Sequence, residues 1–178
     1  MIQLLFLLIS GALAEPRALE PMNRVTAGFS WADGSPGAAF GLDSRLTQIV
    51  YVNIGAFTSF GEQEYAPTDE ESTWLSMRSG LWAAPGFRWP HRYKKDGVNW
   101  DLLFRGGFGC VISEDAFGED WWLVDPATLA GADFLLRLDD YGVRASGKYF
   151  FYQPYLQDAR RKVPVSRPQM AIEAFYQW

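Results

Sequence analysis

Beyond Glu15, apolar and polar residues alternate with a period of two along most of the chain. Successive side chains of an extended strand point to opposite faces, so each alternating run predicts a strand with one apolar and one polar face. Val25, Ala27, Phe29 and Trp31 oppose Thr26, Gly28 and Ser30. Ala38, Phe40 and Leu42 oppose Ala39, Gly41 and Asp43; Val50, Val52, Ile54 and Ala56 oppose Tyr51, Asn53 and Gly55. Leu75, Met77, Leu81, Ala83, Phe87 and Trp89 oppose Ser76, Arg78, Gly80 and Arg88, and Trp100, Leu102, Phe104, Phe108 and Cys110 oppose Asn99, Asp101, Arg105, Gly107 and Gly109. Phe134, Leu136 and Leu138 oppose Asp133, Arg137 and Asp139, and Val143, Ala145, Tyr149 and Phe151 oppose Arg144, Ser146 and Lys148. The chain closes on Met170, Ile172, Ala174, Tyr176 and Trp178, opposite Ala171, Glu173 and Gln177.

These runs predict about eight strands. Turn residues separate them at Asp33–Gly37, Asp43–Arg45, Pro90–Gly97 and Asp140–Gly142, and loops at Gly61–Ser72, Ser113–Gly131 and Leu156–Ser166. A soluble sandwich would alternate too. Three features favour a transmembrane barrel. The apolar face ends in aromatics at several strand ends (Trp31, Trp89, Trp100, Tyr149, Trp178), as the girdles of a lipid-facing band require. The opposite face carries Arg78, Asp101, Arg105, Asp133, Arg137, Arg144, Lys148 and Glu173, which a closed interior must pair into a charge network. The connections also tend to alternate short and long, as periplasmic turns and external loops do. An interior of eight strands is just wide enough for side chains to fill, so these charges are expected to plug it.

Composition narrows the function further. The chain has 178 residues, a net charge of −5 and 16% aromatic residues. The acidic balance excludes a nucleic-acid binder, which needs a basic stripe. One Cys excludes an internal disulfide, and one His excludes a His-rich metal site. Met1–Ala14 (MIQLLFLLISGALA) is uncharged, apolar over Leu4–Ile9, and ends in a small-x-small triplet, which predicts a secretory signal peptide and a barrel domain over 15–178.

The last nine residues, MAIEAFYQW, carry a terminal aromatic at Trp178, Tyr176 two residues earlier, and Ala174, Ile172 and Met170 at the alternate positions before it. This pattern resembles the C-terminal β-signal of bacterial outer-membrane barrel proteins. With the signal peptide and strand count, the mature chain resembles the small-barrel class of the OmpA, OmpX and OmpW kind. The resemblance implies an all-β, eight-stranded, antiparallel up-and-down barrel in the outer membrane of a Gram-negative bacterium. It also implies insertion by the barrel-assembly machinery, contact with lipid and lipopolysaccharide, and a monomer without cofactor, metal or enzymatic activity.

Other candidate chemistry is thin. Gly142–Lys148 contains Gly-x4-Gly-Lys, but Tyr149 follows where a P-loop has Ser or Thr, and a strand follows where it needs a helix. His91 sits in a basic turn beside Arg92 with no serine near it in sequence, and reads as a solvated turn residue rather than a base. Cys110 has outward parity and reads as a small apolar side chain. Trp121 and Trp122, in an acidic loop, are the candidates for surface recognition. The expected role is structural or surface-interacting, with acidic extracellular loops. A narrow OmpW-like pore and a soluble, lipocalin-like periplasmic barrel are the alternatives.

Overall fold

A computed structural model describes residues 23–32, 34–47, 49–60, 75–89, 97–115, 122–153, 155–156, 161–162 and 164–178. The signal-peptide region, most of the Gly61–Ser72 and Pro90–Gly97 segments, His91 and Trp121 lie outside the described residues, as does the side chain of Trp122.

Eight antiparallel strands close into one barrel. They are β1 (Asn23–Ala32), β2 (Ser35–Arg45), β3 (Val50–Ser59), β4 (Leu75–Arg88), β5 (Val98–Asp115), β6 (Trp122–Leu138), β7 (Tyr141–Tyr152) and β10 (Val165–Gln177). A small hairpin, β8 (Tyr155–Leu156) with β9 (Arg161–Lys162), interrupts the last connection. Each barrel strand pairs with its sequence neighbour, and β1 pairs with β10 to remove both sheet edges. At this seam the backbones of Asn23 and Trp178 exchange hydrogen bonds of 3.1 Å.

The register fixes the tilt. Val50 leads across the ladders to Phe87, Phe104, Ala132, Gly147, Met170, Trp31 and Pro36. Pro36 accepts from the Phe60 amide, ten residues beyond Val50 on the same side of the barrel. Eight strands with that stagger tilt by about 40°. Among the described residues the outward face is apolar: Phe29, Phe108, Ile172 and Leu136 are largely exposed. Trp89, Trp100, Tyr141, Tyr176 and Trp178 ring the end that holds the chain termini, with Tyr176 stacked on Trp178 and Trp100 on Phe134. Trp31, Tyr149 and Phe151 mark the other side, and the band between measures about 25 Å.

Several boundaries differ from the sequence expectation. Asp43–Arg45 is no turn: these residues extend β2, because β1 and β3 pair with them on both sides. Gly34, at φ +84°, carries the first turn, and β2 already begins at Ser35. Ser113–Gly131 is mostly strand, since β5 runs to Asp115 and β6 starts at Trp122, with Pro126 tolerated opposite Cys110. The β6–β7 turn is Asp139–Asp140, one residue earlier than expected, with Asp139 at φ +51°. Within Leu156–Ser166, β9 forms and β10 begins at Val165. A bulge between Met77 and Ser79 shifts the upper end of β4 by one residue, so Met77 turns into the lumen instead of facing lipid. Strands β4, β5 and β6 rise beyond their neighbours as a three-stranded extension, with Leu75 opposite Asp115 and Glu114 opposite Trp122.

Candidate functional site

The lumen is where the chain concentrates its polar chemistry. Period-two alternation aims Thr26, Asp43, Asn53, Arg88, Asp101, Arg105, Asp133, Arg144, Lys148 and Glu173 inward, and all are buried. Room for them comes from glycines on facing strands. A side chain on Gly86 would meet the Arg105 guanidinium, and one on Gly55 would meet the Trp82 indole.

Two ionic clusters fill the half nearer the termini. In the first, Arg144 grips Glu173 in a fork, Nη2 to Oε1 at 2.7 Å and Nε to Oε2 at 2.8 Å, while Nη2 also donates to Thr26 at 2.8 Å. Asp43 accepts from Arg105 Nη2 at 2.8 Å, Arg144 Nη1 at 3.3 Å and Arg24 Nη1 at 3.4 Å. Arg105 Nε donates to Asp133, which Lys148 Nζ and Arg144 Nη1 each approach to 3.8 Å. In the second cluster, Arg88 Nε donates to Asp101 at 2.7 Å, and Arg137 Nη2 lies 3.7 Å from the same carboxylate. Arg24 stacks over Phe175 and Tyr51 at the mouth, 5.0 and 5.7 Å from the ring centroids.

Above the ions the lumen turns apolar. Phe57, Trp82 and Phe150 pack mutually with centroids 5.7 to 6.3 Å apart. Met77, Val111, Leu129 and Tyr152 join them in one buried cluster. Trp82 joins the two halves: its indole N–H donates to Asn53 at 2.5 Å, and Lys148 Nζ lies 4.9 Å from its ring centroid. Charges removed from water cost several kcal/mol each unless paired, and pairing here spans strands far apart in sequence, so the arrangement locks one register.

Seven of the eight interior charges read from sequence are buried in these clusters: Asp101, Arg105, Asp133, Arg137, Arg144, Lys148 and Glu173. Arg78 is the exception, because the bulge places Met77 in the lumen at that level and leaves Arg78 half-buried. Arg24, Asp43 and Arg88 complete the network. Asp43 and Arg88 already had inward parity in the alternation, but the local turn signal of Asp43-Ser44-Arg45 masked the first. Met170, Ile172, Ala174, Tyr176 and Trp178 all project outward from β10. Cys110 also lies on the outer face, half-buried. Among the described residues no His, Cys, Asp and Glu cluster is arranged to hold a metal ion.

No protein-family model and no curated protein matches the sequence. Solved structures do. Ail, the attachment invasion locus protein of Yersinia pestis, aligns over 90% of this chain and all of its own, at 16% identity and a TM-score of 0.50. Neisserial surface protein A aligns over 88% of this chain and 96% of its own, at 11% identity and a TM-score of 0.48. A de novo designed transmembrane β-barrel covers 91% of this chain at 12% identity and a TM-score of 0.48. With its strand count, closure and stagger, the chain has the fold of the small eight-stranded outer-membrane barrels.

Proposed function

We propose that the chain is a monomeric outer-membrane barrel of a Gram-negative cell, without enzymatic activity, serving a structural or surface-interaction role. One observation carries this reading: an outward apolar band ringed by aromatics surrounds a lumen of paired charges. A barrel in water would put that apolar face inside. The closed aromatic cap and ion clusters support a plugged interior rather than a conduit. The end holding Asn23, the 46–49 turn, the 139–140 turn and Trp178 is periplasmic in this reading, and β4–β6 with the acidic segments between strands face outward. Lipopolysaccharide and outer-leaflet lipid are the immediate neighbours, and the barrel-assembly machinery reads β10. Expression in a Gram-negative host tests the reading. The protein should fractionate with the outer membrane and migrate faster on SDS gels unheated than boiled. Recovery in the soluble periplasmic fraction with heat-independent migration would overturn it.

A further inference from the structure

The β4–β5 wall has a weak place. The ladder pairs Ala83 with Phe108 and Gly86 with Arg105, but Ala84–Pro85 and Gly106–Gly107 between them are not paired. Pro85 brings no backbone N–H, which accounts for part of the interruption. A dent of about 460 Å³ opens over this stretch on the outer face, rimmed by Val50, Pro85, Phe87, Phe104 and Gly106. A Cβ on Gly106 would meet nothing closer than the Leu129 carbonyl at 3.8 Å, so the dent is empty where a side chain would stand.

Arg105 also lines the dent, together with Gly86. Its side chain is fully buried, with Nε and Nη2 engaged by Asp133 and Asp43, while Nη1 has no hydrogen-bond partner. That atom sits 2.9 Å from the point where a Gly86 side chain would begin, so only glycine separates it from the seam. Among the described residues the lumen buries six cations (Arg24, Arg88, Arg105, Arg137, Arg144, Lys148) against four carboxylates (Asp43, Asp101, Asp133, Glu173). The wall is thus thinnest where a spare donor and surplus positive charge lie behind it.

We propose that this seam is a binding site for a single-chain amphiphile with a carboxylate head, a long-chain fatty acid. Its chain lies in the apolar dent against Phe87, Phe104 and Val50, and its carboxylate reaches the Arg105 Nη1 side of the seam. Gly106 stands six residues above Trp100 on β5, about 15 Å up the barrel wall at the tilt of the strands. That depth suits a carboxyl group better than a phosphate, because apolar surroundings let a carboxyl arrive as the neutral acid and ionise against the guanidinium. The dent also has the width of one chain. The proposal uses the membrane reading only to explain how the ligand arrives, and its test runs in micelles on protein first shown to be folded.

The experiment follows oleate labelled with ¹³C at the carboxyl carbon, by NMR, on the barrel refolded in a non-ionic detergent. A distinct, saturable carboxyl resonance at one per barrel is expected. Gly106→Leu, which fills the dent, and Val50→Phe, which narrows its rim, should each abolish it. Gly147→Leu should retain it, since Gly147 is a second open position on the outer face with no atom within 4 Å of its added Cβ. Methyl oleate should compete at least about tenfold more weakly, having lost the charged acceptor. Absence of a saturable resonance overturns the proposal, as does retention in both dent variants of confirmed fold, or equal competition by the ester. Equal displacement by phosphatidylglycerol overturns the single-chain carboxylate in favour of phospholipid.

Discussion

Arg144 on β7 and Glu173 on β10 form a two-pronged ion pair of 2.7 and 2.8 Å inside the barrel, 29 residues apart and both buried. Glu173→Ala would leave Arg144 with only Asp43 and Asp133 as anionic neighbours, and should cost about 3–5 kcal/mol. Urea unfolding in micelles, followed by tryptophan emission, measures the loss. The double variant Arg144→Leu with Glu173→Leu should be less destabilised than the single variant, because it leaves no orphan charge at this pair. A Glu173→Ala midpoint equal to wild type would show that the pair does not hold the strands.

Packing of large side chains over glycines makes a second prediction. Gly55→Val would drive a side chain into the Trp82 indole and should cost about 1–3 kcal/mol or block refolding. Gly147→Ala meets open space on the outer face and should stay within about 0.5 kcal/mol of wild type. Equal unfolding midpoints for the two variants would contradict the described lumen.

The Phe57, Trp82 and Phe150 cap and the ion clusters below it predict electrical silence. Planar bilayers containing the purified barrel should show no steady open level. A large, stable conductance would refute the plug and promote the pore reading.

Deleting Tyr176–Trp178 should abolish membrane insertion. It removes the Asn23–Trp178 backbone pair that ends the β1–β10 seam, and an open strand edge in lipid leaves polar groups unpaired at several kcal/mol each. Trp178→Phe should insert normally. Outer-membrane fractionation of both variants decides it: full-level insertion of the truncated chain would sink the β-signal reading.

Period-two alternation made the eight strands, their faces and most of the lumen legible from sequence, because one side of every strand meets lipid and the other meets charge. What was not legible came from competition between local and long-range signals. Asp43-Ser44-Arg45 has turn composition, yet pairing with β1 and β3 keeps it extended and makes Asp43 the acceptor for three arginines. Pro126 and the acids around it read as loop, yet β5 supplies a partner for every residue from Trp122 to Leu138. The bulge that exchanges Met77 for Arg78 is a property of how β4 meets β5, and alternation alone carries no sign of it.

The orientation of the barrel across the membrane is tested most directly by labelling single cysteines with a membrane-impermeant maleimide on intact cells, in a Cys110→Ser background. Val124, exposed on the β4–β6 extension, and Thr47, exposed in the β2–β3 turn, are the two positions. Cysteine at Val124 should label on intact cells. Cysteine at Thr47 should label only after the outer membrane is permeabilised. Labelling of Thr47 but not Val124 on intact cells would invert the orientation, and labelling of neither or both would contradict a barrel that spans the outer membrane with β4–β6 outside.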